Sequence, residues 1–323
     1  MRIRWPIRLA AGLVIGFATL PFGSVVVSMG PGAVPEAAPS VAAADAPGRI
    51  FFVHGGDIWV LQGGKPFQVT TDRGWLQPNL SPDGSQLVAV GVYANATDLF
   101  LLNSDGSNET QLTRNRQRSL DADEWAFYPR WSPTGQSIAY VSDRTSFYPM
   151  LWMMRPDGTA PRQITFVRNG ADAIDSFAWS PDGSQIAATR FNLTDSQISI
   201  IDLGPPATSR QVTAEAGGAY DPAWSPDGHY LAYMARNGTR SVISVLDLQT
   251  GTTTPLFETD MARSPQWSPN GTSLAYLALS GKNFEIFTLD LRWDASGAVQ
   301  PGRTTQLTSD FGADGVSGLS WVG

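Results

Sequence analysis

Trp179-Ser180-Pro181-Asp182-Gly183 and Trp224-Ser225-Pro226-Asp227-Gly228 are two copies of one phrase. It returns as Leu80-Ser81-Pro82-Asp83-Gly84, Trp131-Ser132-Pro133-Thr134-Gly135 and Trp267-Ser268-Pro269-Asn270-Gly271. A sixth start, Trp321-Val322-Gly323, stands at the end of the sequence. Successive anchors lie 43 to 54 residues apart, the interval of β-propeller blades. Proline presets φ for the first corner of a tight turn, aspartate bonds its own backbone, and glycine takes the positive φ that follows. Each phrase therefore ends one strand at its anchor and starts the next. The large anchor rings suit the wedge between neighbouring sheets better than a ligand platform.

The text between the turns repeats as well. A small apolar run follows each turn, as in Leu87-Val88-Ala89-Val90, Ile138-Ala139-Tyr140-Val141 and Leu231-Ala232-Tyr233-Met234. A second run follows a polar loop, as in Leu99-Phe100-Leu101-Leu102 and Ile243-Ser244-Val245-Leu246, and a third is short, as in Gln111-Leu112-Thr113 and Gln306-Leu307-Thr308. Runs of this length, β-branched or aromatic and bounded by Gly, Pro, Asp and Asn, are strands. No helical periodicity interrupts them.

The two ends complete the count. Ile50-Phe51-Phe52-Val53, Ile58-Trp59-Val60-Leu61 and Phe67-Gln68-Val69-Thr70 are the later strands of a blade without a first strand, and Gly318-Leu319-Ser320-Trp321 is a first strand without followers. Joining them makes a sixth blade from both termini and removes two open sheet edges. The expected fold is all-β: a six-bladed propeller over residues 49–323, both termini sharing one blade, preceded by a single N-terminal hydrophobic helix.

This pattern resembles the TolB propeller family, whose repeats read Trp-Ser-Pro-Asp-Gly, Ile-Ala-Tyr, a strand, Asp-Gly and Leu-Thr. The resemblance covers about residues 49 to 323. It implies the propeller and an envelope binding role, while the same propeller also serves peptidase gates and polysaccharide lyases. The α/β domain that precedes the propeller in TolB itself finds no room before Ile50.

Arg2, Arg4 and Arg8 precede an uncharged stretch from Leu9 to Pro35. Basic residues ahead of a hydrophobic run make an export signal or a membrane anchor, positive end inside. Residues 1–30 are that segment, cleaved or retained, and residues 31–48 are a Pro/Ala/Gly-rich tether. The expected location is extracytoplasmic, at the periplasm or cell surface, with membrane contact only through the N-terminal segment and a monomeric propeller. There is no cysteine, hence no disulfide and no lipid-bearing thiol. The net charge of −7 argues against nucleic acid as a partner. The basic run Arg114-Asn115-Arg116-Gln117-Arg118 reads as a solvated loop between blades.

Catalytic groups are sparse. His54 and His229 are the only histidines, and no Gly-x-Ser-x-Gly elbow occurs, so a serine triad has no members to draw on. A zinc or His-rich manganese site lacks ligands, and no cofactor or metal is expected. Calcium on Asp175 with Asp221 has no spacing motif behind it. The residues just upstream of each anchor crowd one channel mouth, the usual ligand face of such folds. They are Trp75, Leu76 and Gln77; Trp125, Phe127 and Tyr128; Asp175 and Ser176; Tyr220 and Asp221; Arg263 and Ser264. Of these, Trp75, Trp125, Phe127, Tyr128, Asp175, Tyr220, Asp221 and Arg263 are the candidate ligand-binding residues. Their rings offer flat apolar area and their charges directional bonds. The reading is a non-catalytic binding module for an envelope protein, peptide or glycan. The alternatives are a carboxylate-based glycosidase or lyase using Asp175, Asp221 or Glu124, and a purely structural scaffold.

Overall fold

The computed structural model describes residues 48–71, 74–115, 124–146, 148–166, 172–192, 195–204, 208–295 and 297–323. These form six four-stranded antiparallel sheets. The first strands of five sheets are Trp75–Leu80, Ala126–Trp131, Ala173–Trp179, Ala219–Trp224 and Ala262–Trp267. They lie against one another from sheet to sheet, so they line the axis of a ring. The hydrophobic segment 1–30, the tether up to residue 47 and most of the basic run after Asn115 lie outside the described residues. No helix among the described residues is long and apolar enough to cross a membrane.

The sixth blade is sewn from both ends of the sequence. Ser320–Val322 pairs with Arg49–His54, which continues into Asp57–Gln62 and Lys65–Gln68. The register is Arg49 to Val322, Ile50 to Trp321 and Phe51 to Ser320. The closing strand starts two residues later than the apolar pattern suggests, because Gly318 takes a φ of 68° and turns the chain just before the ladder begins.

Turn chemistry explains the repeated phrase. Ser81 Oγ donates to Asp83 Oδ1 at 2.6 Å and accepts from the Gln86 N–H at 2.9 Å, while the Ser85 N–H donates to the same carboxylate at 3.0 Å. Those bonds, the Ser81 hydroxyl foremost, hold the Asp83 carboxyl down at about 2. The same closed loop recurs at Ser180 with Asp182 and at Ser225 with Asp227. The threonine ending the last run has an equally local cause. Its hydroxyl accepts the N–H at the head of the preceding strand, at Ile58 from Thr70, Leu99 from Thr113, Leu151 from Thr165, Ile198 from Thr213 and Ile286 from Thr308. A hydroxyl thereby satisfies a buried donor where the ladder runs out.

Apolar packing sits between blades. Each of six buried clusters draws on two neighbouring sheets, as where Val88, Val90 and Leu99 meet Trp131, Ile138 and Tyr140. Trp267 and Trp321 fill equivalent wedges. Two anchor indoles also tie blades by hydrogen bonds, Trp179 to the Arg130 carbonyl at 3.3 Å and Trp267 to the Ala223 carbonyl at 3.1 Å.

Candidate ligand-binding channel

Five inner strands break register at one height: between Leu76 and Asn79, Phe127 and Arg130, Ile174 and Phe177, Tyr220 and Ala223, and Arg263 and Gln266. Each break is a β-bulge, which frees a residue from the ladder and re-aims its neighbours. Gln77, Tyr128, Asp221 and Ser264 occupy it with φ of 51° to 53°. A proline follows each of the four, and its missing N–H leaves the ladder nothing to lose there. A left-handed backbone at non-glycine residues costs free energy and gathers at functional sites. Here the freed N–H groups point to the next blade. Tyr128 N–H donates to Gln77 Oε1 at 2.6 Å, Asp221 N–H to Ser176 Oγ at 3.2 Å, and Ser264 N–H to Asp221 Oδ2 at 3.0 Å. The channel wall is thus stitched sideways from blade to blade.

The bulges bring together most of the charged candidates. Asp175, Tyr220, Asp221 and Arg263 line one small cavity of about 20 Å³. Arg263 Nε lies 3.7 Å from Asp221 Oδ2, with side chains only 18% and 13% exposed. Burial pushes the Asp175 carboxyl up to about 7, the Asp221 charge adds to the rise, and Arg263 opposes it. Burial, then the Asp175 charge, also raises the Tyr128 phenol well above its ordinary range. Arg263 suffers the cost of burial, but Asp221, Tyr128 and Asp175 together hold its guanidinium more firmly protonated than in water. Its Nε has no hydrogen-bond acceptor among the described residues. The cluster is one ion pair with one extra carboxyl that titrates near neutrality.

The aromatic candidates divide. Trp125 and Phe127 stack at the mouth with centroids 5.8 Å apart and planes 13° apart, and the Trp125 N–H is held by Asp143 Oδ1 at 2.8 Å. Tyr220 is half-buried beneath the Arg236 guanidinium, 5.7 Å from its ring centre. Trp75 is elsewhere. It is 1% exposed and meets Phe100 edge-on at 5.5 Å inside the wedge between the sixth and first blades. A signal for this lay in the aligned repeats, where the position five before each anchor holds Trp75, Ala126, Ile174, Ala219 and Ala262, all buried.

The other end of the channel was not singled out by sequence reasoning, which treated its anchors as wedge filler. At the turn face the ring opens into a funnel of about 460 Å³, with Arg49, Arg130, Trp179, Trp224, Pro226 and Gln266 in its lining. Trp179 and Trp224 are only partly buried, so these anchors serve wedge and wall at once.

Remaining chemistry candidates are accounted for locally. His54 Nδ1 lies 3.0 Å from the Gly312 carbonyl, and its ring packs on Trp59 and Phe311. His229 stands in solvent beside Asp227. Glu124 faces Arg144 at 3.6 Å, its pKa raised by burial. No group of three or more metal-ligating side chains occurs among the described residues.

No family model matches this chain. A protein TolB homolog from Chlorobium luteolum is 34% identical over 152 residues, covering 46% of this chain and 31% of that protein. The uncharacterized peptidase YuxL of Bacillus subtilis is 28% identical over 118 residues, 35% of this chain and 16% of the peptidase. The matches thus span less than a third of those relatives' length. The solved structure of TolB from Acinetobacter baumannii superposes with a TM-score of 0.68 at 19% identity, over 86% of this chain and 67% of that one. That likeness is one of fold: the ring has the architecture of a TolB-type propeller domain.

Proposed function

We propose that this chain is a non-catalytic binding module, exported and held by its N-terminal segment, whose channel mouth receives an envelope protein or peptide segment. The observation that carries this reading is the cluster of Asp175, Asp221 and Arg263, which shares one cavity with the Tyr220 ring. Buried Arg with aromatic neighbours is the make-up of interface hot spots. The likeness to TolB proteins supports an extracytoplasmic place and a protein ligand.

A carboxylate enzyme is the weaker reading. The cavity between Asp175 and Arg263 is about 20 Å³, room for a single water rather than a sugar ring. Asp221 is already committed to Arg263 and to the Ser264 N–H.

The test is a photo-crosslinking amino acid placed at Phe127 or, on the opposite face, at His229, in cells that make the protein. One dominant adduct from position 127, absent from 229 and weakened at least tenfold by Arg263→Ala, is the expected result. Equal adducts from both positions would overturn the assignment of the mouth. An alkaline phosphatase reporter fused after Ala46 tests export separately and should be active.

A further inference from the structure

Arg130 stands one residue before the Trp131 anchor and reaches across the ring. Its Nη2 lies 4.0 Å from the point where a Cβ would stand on Gly318, and Ser264 Oγ lies 3.3 Å from the same point. Arg130 belongs to the second blade, Ser264 to the fifth, and Gly318 leads into the sixth, so the guanidinium bars the channel and forms the funnel floor. The guanidinium donates a 3.4 Å bond to the Pro129 carbonyl. Among the described residues no carboxylate stands at ion-pair distance from it. Burial draws its pKa down to about 10, with Tyr128 and Asp221 opposing. A buried cation without a paired anion is costly.

Other donors at this end also lack partners. The indole N–H groups of Trp131 and Trp224, both in the funnel lining, have no acceptor among the described residues. The lining also carries Asn79, Asp83 and Gln266, and its walls include the rings of Trp179, Trp224, Pro226 and Pro269.

We propose that the turn-face funnel is a second binding site, which takes the free C-terminal carboxylate of a peptide with the carboxylate directed at Arg130. The volume of about 460 Å³ lies within the range of roughly 300–1,000 Å³ for ligand pockets. A guanidinium fork matches a carboxylate in two parallel hydrogen bonds. Chain ends carry that one charge at the tip and apolar side chains behind it, as the floor and walls require. Arg130 stands between the funnel and the mouth, its guanidinium near Ser264 and coupled to the charges of Tyr128 and Asp221.

The experiment uses the full chain with 15N-labelled tryptophan indoles and two probe pools: N-acetyl tetrapeptides of mixed sequence as free acids, and the same peptides as C-terminal amides. The acid pool should shift indole resonances and bind at least tenfold more tightly than the amide pool. Arg130→Gln should erase that preference. Gln266→Glu, which leaves Arg130 in place and adds a negative charge to the wall, should weaken acid binding at least fivefold without unfolding the ring. Equal affinity of acids and amides overturns the proposal, as does no shift by the acid pool at millimolar concentration. Shifts by digalacturonate where the peptide acids give none would assign the floor to an acidic sugar and overturn the peptide reading.

Discussion

The two ends of the channel are built from the same six strands and come out as opposites. At the mouth, Asp221 and Arg263 neutralise one another, Asp175 crowds beside them, and about 20 Å³ stays open. At the turn face, about 460 Å³ stays open above a cation with no carboxylate beside it. The mouth is made by loops that differ from blade to blade, so side chains of any size and charge meet there. The turn face is made by one repeated phrase, so five like prolines and five Trp anchors stand in a circle and do not fill their own centre. Repetition makes the hole, and variation makes the plug.

The sharpest challenge to this contrast is the removal of an aromatic from each end. Trp321→Ala should destabilise the ring by about 3–5 kcal/mol, the usual cost of deleting a buried tryptophan, because it empties the wedge of the clasped blade. Trp125→Ala should cost well under half as much, since that ring stacks only on Phe127 at the half-buried mouth. Urea unfolding of the two variants compares them, and equal losses would erase the distinction between wedge filler and rim. A somewhat smaller effect separates the two arginines. Arg263→Ala strands Asp221 and Asp175 without their counter-charge and should cost about 2 kcal/mol at neutral pH, less than a fully dry pair because channel water screens it. Arg130→Met strands no carboxylate and should be neutral or mildly stabilising, as when an unpaired buried charge is replaced by an apolar chain. If both variants behave alike in the same melts, the charge asymmetry of the ends is false.

The last comparison is a slope. The Asp175 carboxyl sits near 7 in the folded chain against an ordinary 3.8. Between those values the folded state binds the proton that the unfolded state has released, so stability is full at the acid end and declines as pH rises toward 7. Linkage sets the steepest decline from this one group at about 1.4 kcal/mol per pH unit. Asp175→Asn should flatten that part of the pH profile, measured as the difference in unfolding free energy between the variant and the parent. An unchanged slope would mean that the mouth is open to bulk water.

Much of this was legible in the residues. The turn phrase, the wedge-filling anchors and the clasp each follow from local chemistry repeated at a constant interval, and periodicity averages out the noise in any one copy. At the position four before each anchor, Asp175, Tyr220 and Arg263 line one cavity, while Leu76 and Phe127 pack against the wedge between the first and second blades. Trp75 joins the wedge because residues just upstream of an anchor alternate sides of the strand rather than all facing the channel. Gln77 breaks the two-residue period, so residues upstream of it face the opposite way from a simple count. Gln77 itself, a buried amide that holds the next blade, has no composition signal at all. The funnel escaped because each Trp satisfies its wedge role in sequence, and a second role for the partly uncovered rings of Trp179 and Trp224 emerges only when the six anchors are set in a circle.

The clasp has one more consequence. Gly48 packs against the Val322 carbonyl, and Arg49 bonds the Gly84 carbonyl in a turn of the first blade. The polypeptide therefore enters the ring on the turn face, beside the funnel. The propeller has a heading: one opening lies beside the seam where Arg49 meets Val322, and the other lies across the ring from it.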